Sequence, residues 1–225
     1  MEGSQHWKVL SCVPGEAEHN PFMALANLLA GLLPSRKEEA VDIATSLLET
    51  PELLLEYADI LLSDKPNGAV LILFVDQLEE LFTLAPAKYR EPFANLLLRA
   101  SDNAHLRVLV TLRADFLSQC VAVPALAELF QRPSATFPLG PPGPSALIDM
   151  IRRPAERAGL ELEDGLADDI LKDAGVNPGS LPLVAFCLEE LYRQNVSEHR
   201  LAVAAYRNLG GLRGAITRRG MARTP

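Results

Sequence analysis

Cysteine is scarce in this sequence of 225 residues: Cys12, Cys120 and Cys187 stand far apart, and no CxxC pair exists. That argues against a disulfide framework and a thiolate zinc site, and leaves reduced, buried thiols as the expectation. Long apolar runs are lacking as well. The longest covers residues 69–75, far short of the roughly twenty residues that span a bilayer. Residues 1–6 hold no basic region followed by an apolar one, so no secretory signal is read. The chain is therefore expected to be soluble and cytoplasmic, without a membrane partner. A basic surplus is missing too: 21 Lys and Arg against 29 Asp and Glu give a net charge of −8, which argues against nucleic acid as a partner. The one dense basic group, Arg213, Arg218, Arg219 and Arg223, reads as a solvated tail.

What is present is the make-up of an ordinary globular protein, 48% hydrophobic and 22% charged. Residues 7–13 read as a strand stopped by Pro14-Gly15. Asn20-Pro21 supplies an N-cap and a first-turn proline for a helix to about Leu33. Two more helices follow, over about 37–48 and from Thr50-Pro51 to Leu62. Residues 69–75 are seven consecutive apolar positions bounded by Asn67-Gly68 and Asp76, a pattern that predicts a strand buried on both faces. Residues 106–112 form a similar strand, with a helix over 89–100 between the two. Residues 135–139 are a candidate third short strand. Strands alternating with helices predict an α/β fold with a parallel sheet and right-handed crossovers. From Ser145 onward only helical patterns appear, over 145–158, 164–174, 180–193 and 202–208. The expected division is an α/β core over 1–144 and a small all-helical subdomain over 145–225.

Ligands of open α/β sheets bind at the carboxyl ends of the strands, and two polar clusters fall there. The first is Asp76-Gln77-Leu78-Glu79-Glu80. An apolar strand ending in Asp is the Walker B arrangement, whose carboxylate holds Mg²⁺, usually through water, while a nearby Glu orients the attacking water. Many parallel strands also end in Asp to cap a turn. The second cluster is Thr111-Leu112-Arg113-Ala114-Asp115-Phe116. Its arginine either meets a terminal phosphate with its planar fork or pairs with Asp115 or the Asp76 cluster.

These residues carry a resemblance. Residues 71–83, Leu-Ile-Leu-Phe-Val-Asp-Gln-Leu-Glu-Glu-Leu-Phe-Thr, resemble the Walker B segment "VDQFEELF" of the novel STAND NTPase 1 group. Val110-Thr-Leu-Arg-Ala-Asp-Phe116 resembles that group's sensor-1 strand, and residues 124–129 resemble the end of its "YPALAEL", with Val123 in place of the Tyr. Residues 151–160, 179–186 and 205–215 match further motifs in order. The resemblance implies an incomplete P-loop NTPase sheet flanked by helices and followed by a helical lid, serving nucleotide-dependent signalling with ATP and Mg²⁺ as cofactors. It implies Asp76 as the magnesium-associated carboxylate, Glu79 or Glu80 as the water-positioning acid, and Arg113 as the reader of the γ-phosphate. Pro182 is similar to the proline of a GxP motif that packs near adenine; read from the sequence alone, it is a helix-start proline after Ser180. Gln77 stands where related ATPases carry a second acid.

One departure is larger than these matches. Nothing in the sequence fits G-x-x-x-x-G-K-[ST], the loop whose backbone N–H groups and Lys hold the phosphates. By the resemblance, the sequence starts just after the P-loop helix and stops before further helices, so both ends are expected to be truncations. The expected result is a domain that keeps Walker B and sensor-1 but does not hydrolyse ATP alone. The alternative is a non-catalytic interaction module whose helices serve protein partners or self-association.

Overall fold

The computed structural model describes residues 7–33, 39–175, 181–194 and 199–214. The chain divides into two compact units, Met1–Phe137 and Pro138–Pro225. No helix among the described residues is long and apolar enough to cross a membrane.

The first unit is built on three parallel strands, β1 (Trp7–Cys12), β2 (Val70–Val75) and β3 (Leu106–Val110), in the spatial order β1-β2-β3. The parallel α/β sheet expected from the sequence is present. Between β1 and β2 run the helices Pro21–Leu32, Ala40–Glu49 and Leu53–Leu62; between β2 and β3 run the short Glu80–Thr83 helix and the Arg90–Ser101 helix. The first of these begins as its sequence dictates: the Asn20 side chain accepts the N–H groups of Phe22 and Met23 at 3.1 and 3.4 Å, and Pro21, which has no N–H to satisfy, fills the first turn. Leu117–Val121 and Pro124–Gln131 complete the unit.

Both crossovers step the same way across the sheet, so right-handed connections deliver their helices to the same face. The side chains follow. Leu10, Cys12, Leu71, Leu73, Val75 and Leu106 are buried in one cluster with Phe22, Leu25, Leu47, Leu54, Phe93 and Leu97 of the helices. Register places Trp7, Val9, Val70, Ile72, Phe74 and Leu109 on the opposite face. There Trp7 is 53%, Val9 56% and Leu109 56% exposed, and the β2 residues are half-buried. The apolar run at 69–75 thus does not mean a strand buried on both faces. Within the described residues only one face is packed.

Residues 135–139 are not a strand. They carry no regular secondary structure and are exposed, with Phe137 at 83%. The sheet ends at β3, so among the described residues the segment has no strand partner.

The second unit is mainly helical, with Pro144–Arg157, Leu166–Ala174, Leu181–Gln194 and Val203–Leu209 packed around Ile151, Leu166, Ile170, Cys187, Leu191 and Leu209. A two-residue parallel pair, β4 (Glu161–Leu162) with β5 (Arg200–Leu201), ties its loops and was not expected from the sequence. The Tyr206 hydroxyl donates to Asp173 at 2.6 Å, so a phenol that is 3% exposed keeps its hydrogen bond inside this core.

Candidate functional site

The carboxyl ends of the three strands are laced together by backbone bonds. Asp76 N–H donates to the Cys12 carbonyl at 2.9 Å, Thr111 N–H to the Val75 carbonyl at 3.0 Å, and Leu78 N–H to the Thr111 carbonyl at 2.9 Å. Since Val75 and Val110 are register partners, Asp76 and Thr111 leave neighbouring strands side by side. The two polar clusters therefore occupy one edge of the sheet.

Asp76 is half-buried and held on one oxygen. Its Oδ1 accepts the Gln77 N–H at 3.1 Å and the Thr111 hydroxyl at 2.5 Å, and the Thr111 oxygen in turn accepts the Gln77 N–H at 2.8 Å. Among the described residues Oδ2 takes no such bond. Gln77 reaches this geometry with φ of 54°, a left-handed conformation that is unusual for a side chain of its length. Thr111 is the residue that pattern reading missed. It lies inside the quoted motif, but nothing in its sequence position distinguishes a hydroxyl aimed at Asp76 from an ordinary strand-end threonine.

The two adjacent glutamates separate. Glu79 is 8% exposed, and its Oε2 accepts the Arg113 N–H at 3.4 Å. Cys120 lies nearby, and its thiol is pushed up to about 11 by burial first and by the Glu79 charge second. Glu80 is turned to β1 instead, where its Oε2 accepts the Gly15 N–H at 3.0 Å. A β-carbon on Gly15 would sit 2.3 Å from that oxygen, so glycine is what lets the carboxylate close on the backbone. Beyond Gly15 the chain turns through Ala17, Glu18 and His19, with φ of 49°, 61° and 61°. The His19 ring Nδ1 stands 2.9 Å from the Gly15 carbonyl oxygen.

The Arg113 fork is engaged with Asp115, Nε to Oδ1 at 3.2 Å and a terminal nitrogen to Oδ2 at 2.8 Å, over the Phe116 ring. Both side chains are more than half exposed. A pair in that setting contributes only about 0–1 kcal/mol, so it is a weak hold. Pro182 lies in the other unit, exposed in the first turn of the Leu181–Gln194 helix. Gly179 and Ser180, which precede it in the motif, lie outside the described residues.

Asp76 suits a hydrated Mg²⁺. One carboxylate oxygen takes no hydrogen bond among the described residues, and Mg²⁺ keeps several waters and takes its remaining ligands from nucleotide phosphates. No group of three or more His, Cys, Asp or Glu among the described residues could hold a metal by itself. The given sequence contains no G-x-x-x-x-G-K-[ST] loop.

A family model described as Novel STAND NTPase 1 matches residues 1–222. No curated protein and no solved structure matches the chain.

Proposed function

The chain belongs to the Novel STAND NTPase 1 family, and from that premise we propose that it is a nucleotide-responsive signalling domain which keeps its Walker B and sensor-1 residues but does not turn over ATP alone. The observation that carries this reading is the meeting of the two clusters at one sheet edge. The Thr111 hydroxyl bonds Asp76 Oδ1, and the Arg113 backbone N–H bonds Glu79. In this reading Asp76 holds Mg²⁺ through water on Oδ2. Of the two acids, Glu79 is the one that orients water, because Glu80 is occupied by Gly15. Arg113 exchanges Asp115 for the γ-phosphate, matching its planar fork to phosphate oxygens.

Mg²⁺ and ATP are the cofactors of this reading. When bound, the metal neutralises charge on the phosphates; the chain's own part is to fix Asp76 and Glu79 at the strand ends. No hydrolytic step is assigned to the chain by itself, since phosphate has no cradle here. All three cysteines are free and buried, in keeping with a reducing cytoplasm.

Calorimetric titration of the 225-residue chain with Mg-ATP tests the proposal. Binding no tighter than about millimolar, or about −4 kcal/mol, is expected. Micromolar affinity would mean that another loop holds phosphate and that the roles given to Asp76 and Arg113 are wrong.

A further inference from the structure

We propose that Thr111 is a positioning residue for a divalent cation: its hydroxyl occupies Oδ1 of Asp76 and so assigns the cation to Oδ2. The inference rests on the reading of Asp76 as the Mg²⁺ carboxylate, and adds which residue decides how that carboxylate is presented.

The chemistry of the three residues fixes the direction of every proton between them. A backbone N–H only donates and a carboxylate only accepts. Gln77 N–H therefore gives its proton to Asp76 Oδ1 and to the Thr111 oxygen, at 3.1 and 2.8 Å. One N–H shared between two acceptors is an ordinary three-centre bond. With that N–H arriving at its oxygen, the Thr111 hydroxyl sends its single proton to Asp76 Oδ1, 2.5 Å away. A hydroxyl on an ionised carboxylate is charge-assisted, about twice as strong as a neutral bond. Oδ1 thus takes two donors, and among the described residues Oδ2 takes none.

Main-chain bonds hold the cluster in place. Thr111 N–H donates to Val75 O at 3.0 Å and Thr111 O accepts from Leu78 N–H at 2.9 Å, so the threonine is fastened to the chain on both sides of Asp76. Gln77 closes the ring at φ of 54°, and the two acceptors of its N–H hold it there. A carboxylate turning freely would offer either oxygen to a cation, or both at once. One pinned at Oδ1 offers Oδ2 alone. Mg²⁺ suits the pinned form, because it demands near-octahedral geometry and takes few carboxylate ligands while keeping its waters. Groups that hydrogen-bond a metal's carboxylate are typically worth about 10–100-fold in metal affinity.

Mn²⁺ is the probe, since its unpaired electrons broaden the amide resonances of residues near it. The full chain is titrated, and the amides of Gln77, Leu78 and Thr111 report on the site. Those of Glu161, Leu162 and Glu163 in the second unit report on unspecific binding to acidic side chains, and should respond alike in every variant. In the unaltered chain the first set should broaden at lower Mn²⁺ than the second. Thr111→Val keeps the shape and removes the hydroxyl; it should raise the Mn²⁺ needed at the first set by at least about tenfold. Thr111→Ser keeps the hydroxyl and should restore the response. Equal broadening of the first set in Thr111→Val and the unaltered chain overturns the proposal and leaves Asp76 as the metal carboxylate. A loss that Thr111→Ser shares does the same. No preferential broadening in the unaltered chain, or its persistence in Asp76→Asn, overturns the metal reading and this inference with it. Mg²⁺ gives a second check. It should not quicken hydrogen exchange at the Gln77 amide, because Oδ1 keeps its donors; quickening would put the cation on Oδ1 and overturn the assignment.

Discussion

Thr111 carries more of this site than its place in the sequence suggests. Its hydroxyl bonds Asp76 and accepts from Gln77 at once, so Thr111→Val leaves a half-buried carboxylate one donor short. That substitution should cost about 0.5–1.5 kcal/mol in urea unfolding, the net worth of a hydrogen bond that water can partly replace; a loss below about 0.5 kcal/mol would show that the hydroxyl is incidental. Tyr206→Phe should cost a similar amount, because the Asp173 carboxylate loses its 2.6 Å donor. The three thiols supply a pH test. Burial raises Cys12 to about 12 and Cys120 and Cys187 to about 11, from an ordinary value of 9.0. A group held in its neutral form by the fold contributes stability that is present below the unfolded value and lost as pH rises through the folded one. Melting temperature should therefore fall between about pH 9 and pH 12, and native chain at pH 8 should react with iodoacetamide only on unfolding. Rapid labelling of the folded chain would contradict the burial. The sequence made Asp76, Glu79, Glu80 and Arg113 recognisable as candidates, since residue type and spacing suffice for that. It could not divide the two glutamates, because the division depends on Gly15 arriving from 65 positions away.

At the scale of elements, strands and helices were legible where a local pattern fixes them. Asn20-Pro21 starts its helix and Asn67-Gly68 leads into β2. Residues 135–139 have strand composition but no strand, for pairing is a property of the neighbour and not of the segment. The same limit explains the misread burial of β2. A continuous apolar run records which faces a strand is fit to bury, and only the surrounding elements decide whether they are buried. Helix Pro124–Gln131 carries its own start signal in Pro124, at its first position. Glycine gives a test at this scale. Gly15→Ala would set a β-carbon 2.3 Å from Glu80 Oε2 and 2.6 Å from Leu84 Cδ1. It should destabilise the first unit by about 1–3 kcal/mol, the usual cost of overpacking. An unchanged melt would show that Glu80 swings away freely, and would reopen the choice between Glu79 and Glu80.

For the whole molecule, the order β1-β2-β3 has a consequence in time. Each strand lies beside the one made just before it, and the helices between them form the layer that covers the new pair. Among the described residues no strand waits for a later one to be inserted in the middle of the sheet. Such a sheet can be laid down as the chain leaves the ribosome, because domains tend to fold from the N-terminal side during synthesis and nearby contacts form sooner than distant ones. Nascent chains stalled after Val75 and after Val110 should therefore show stepwise gains in protease resistance, each step adding one strand and its covering helices. A single gain that appears only once residue 225 has emerged would mean that the first unit assembles all at once, and that its strand order has no bearing on how it is made.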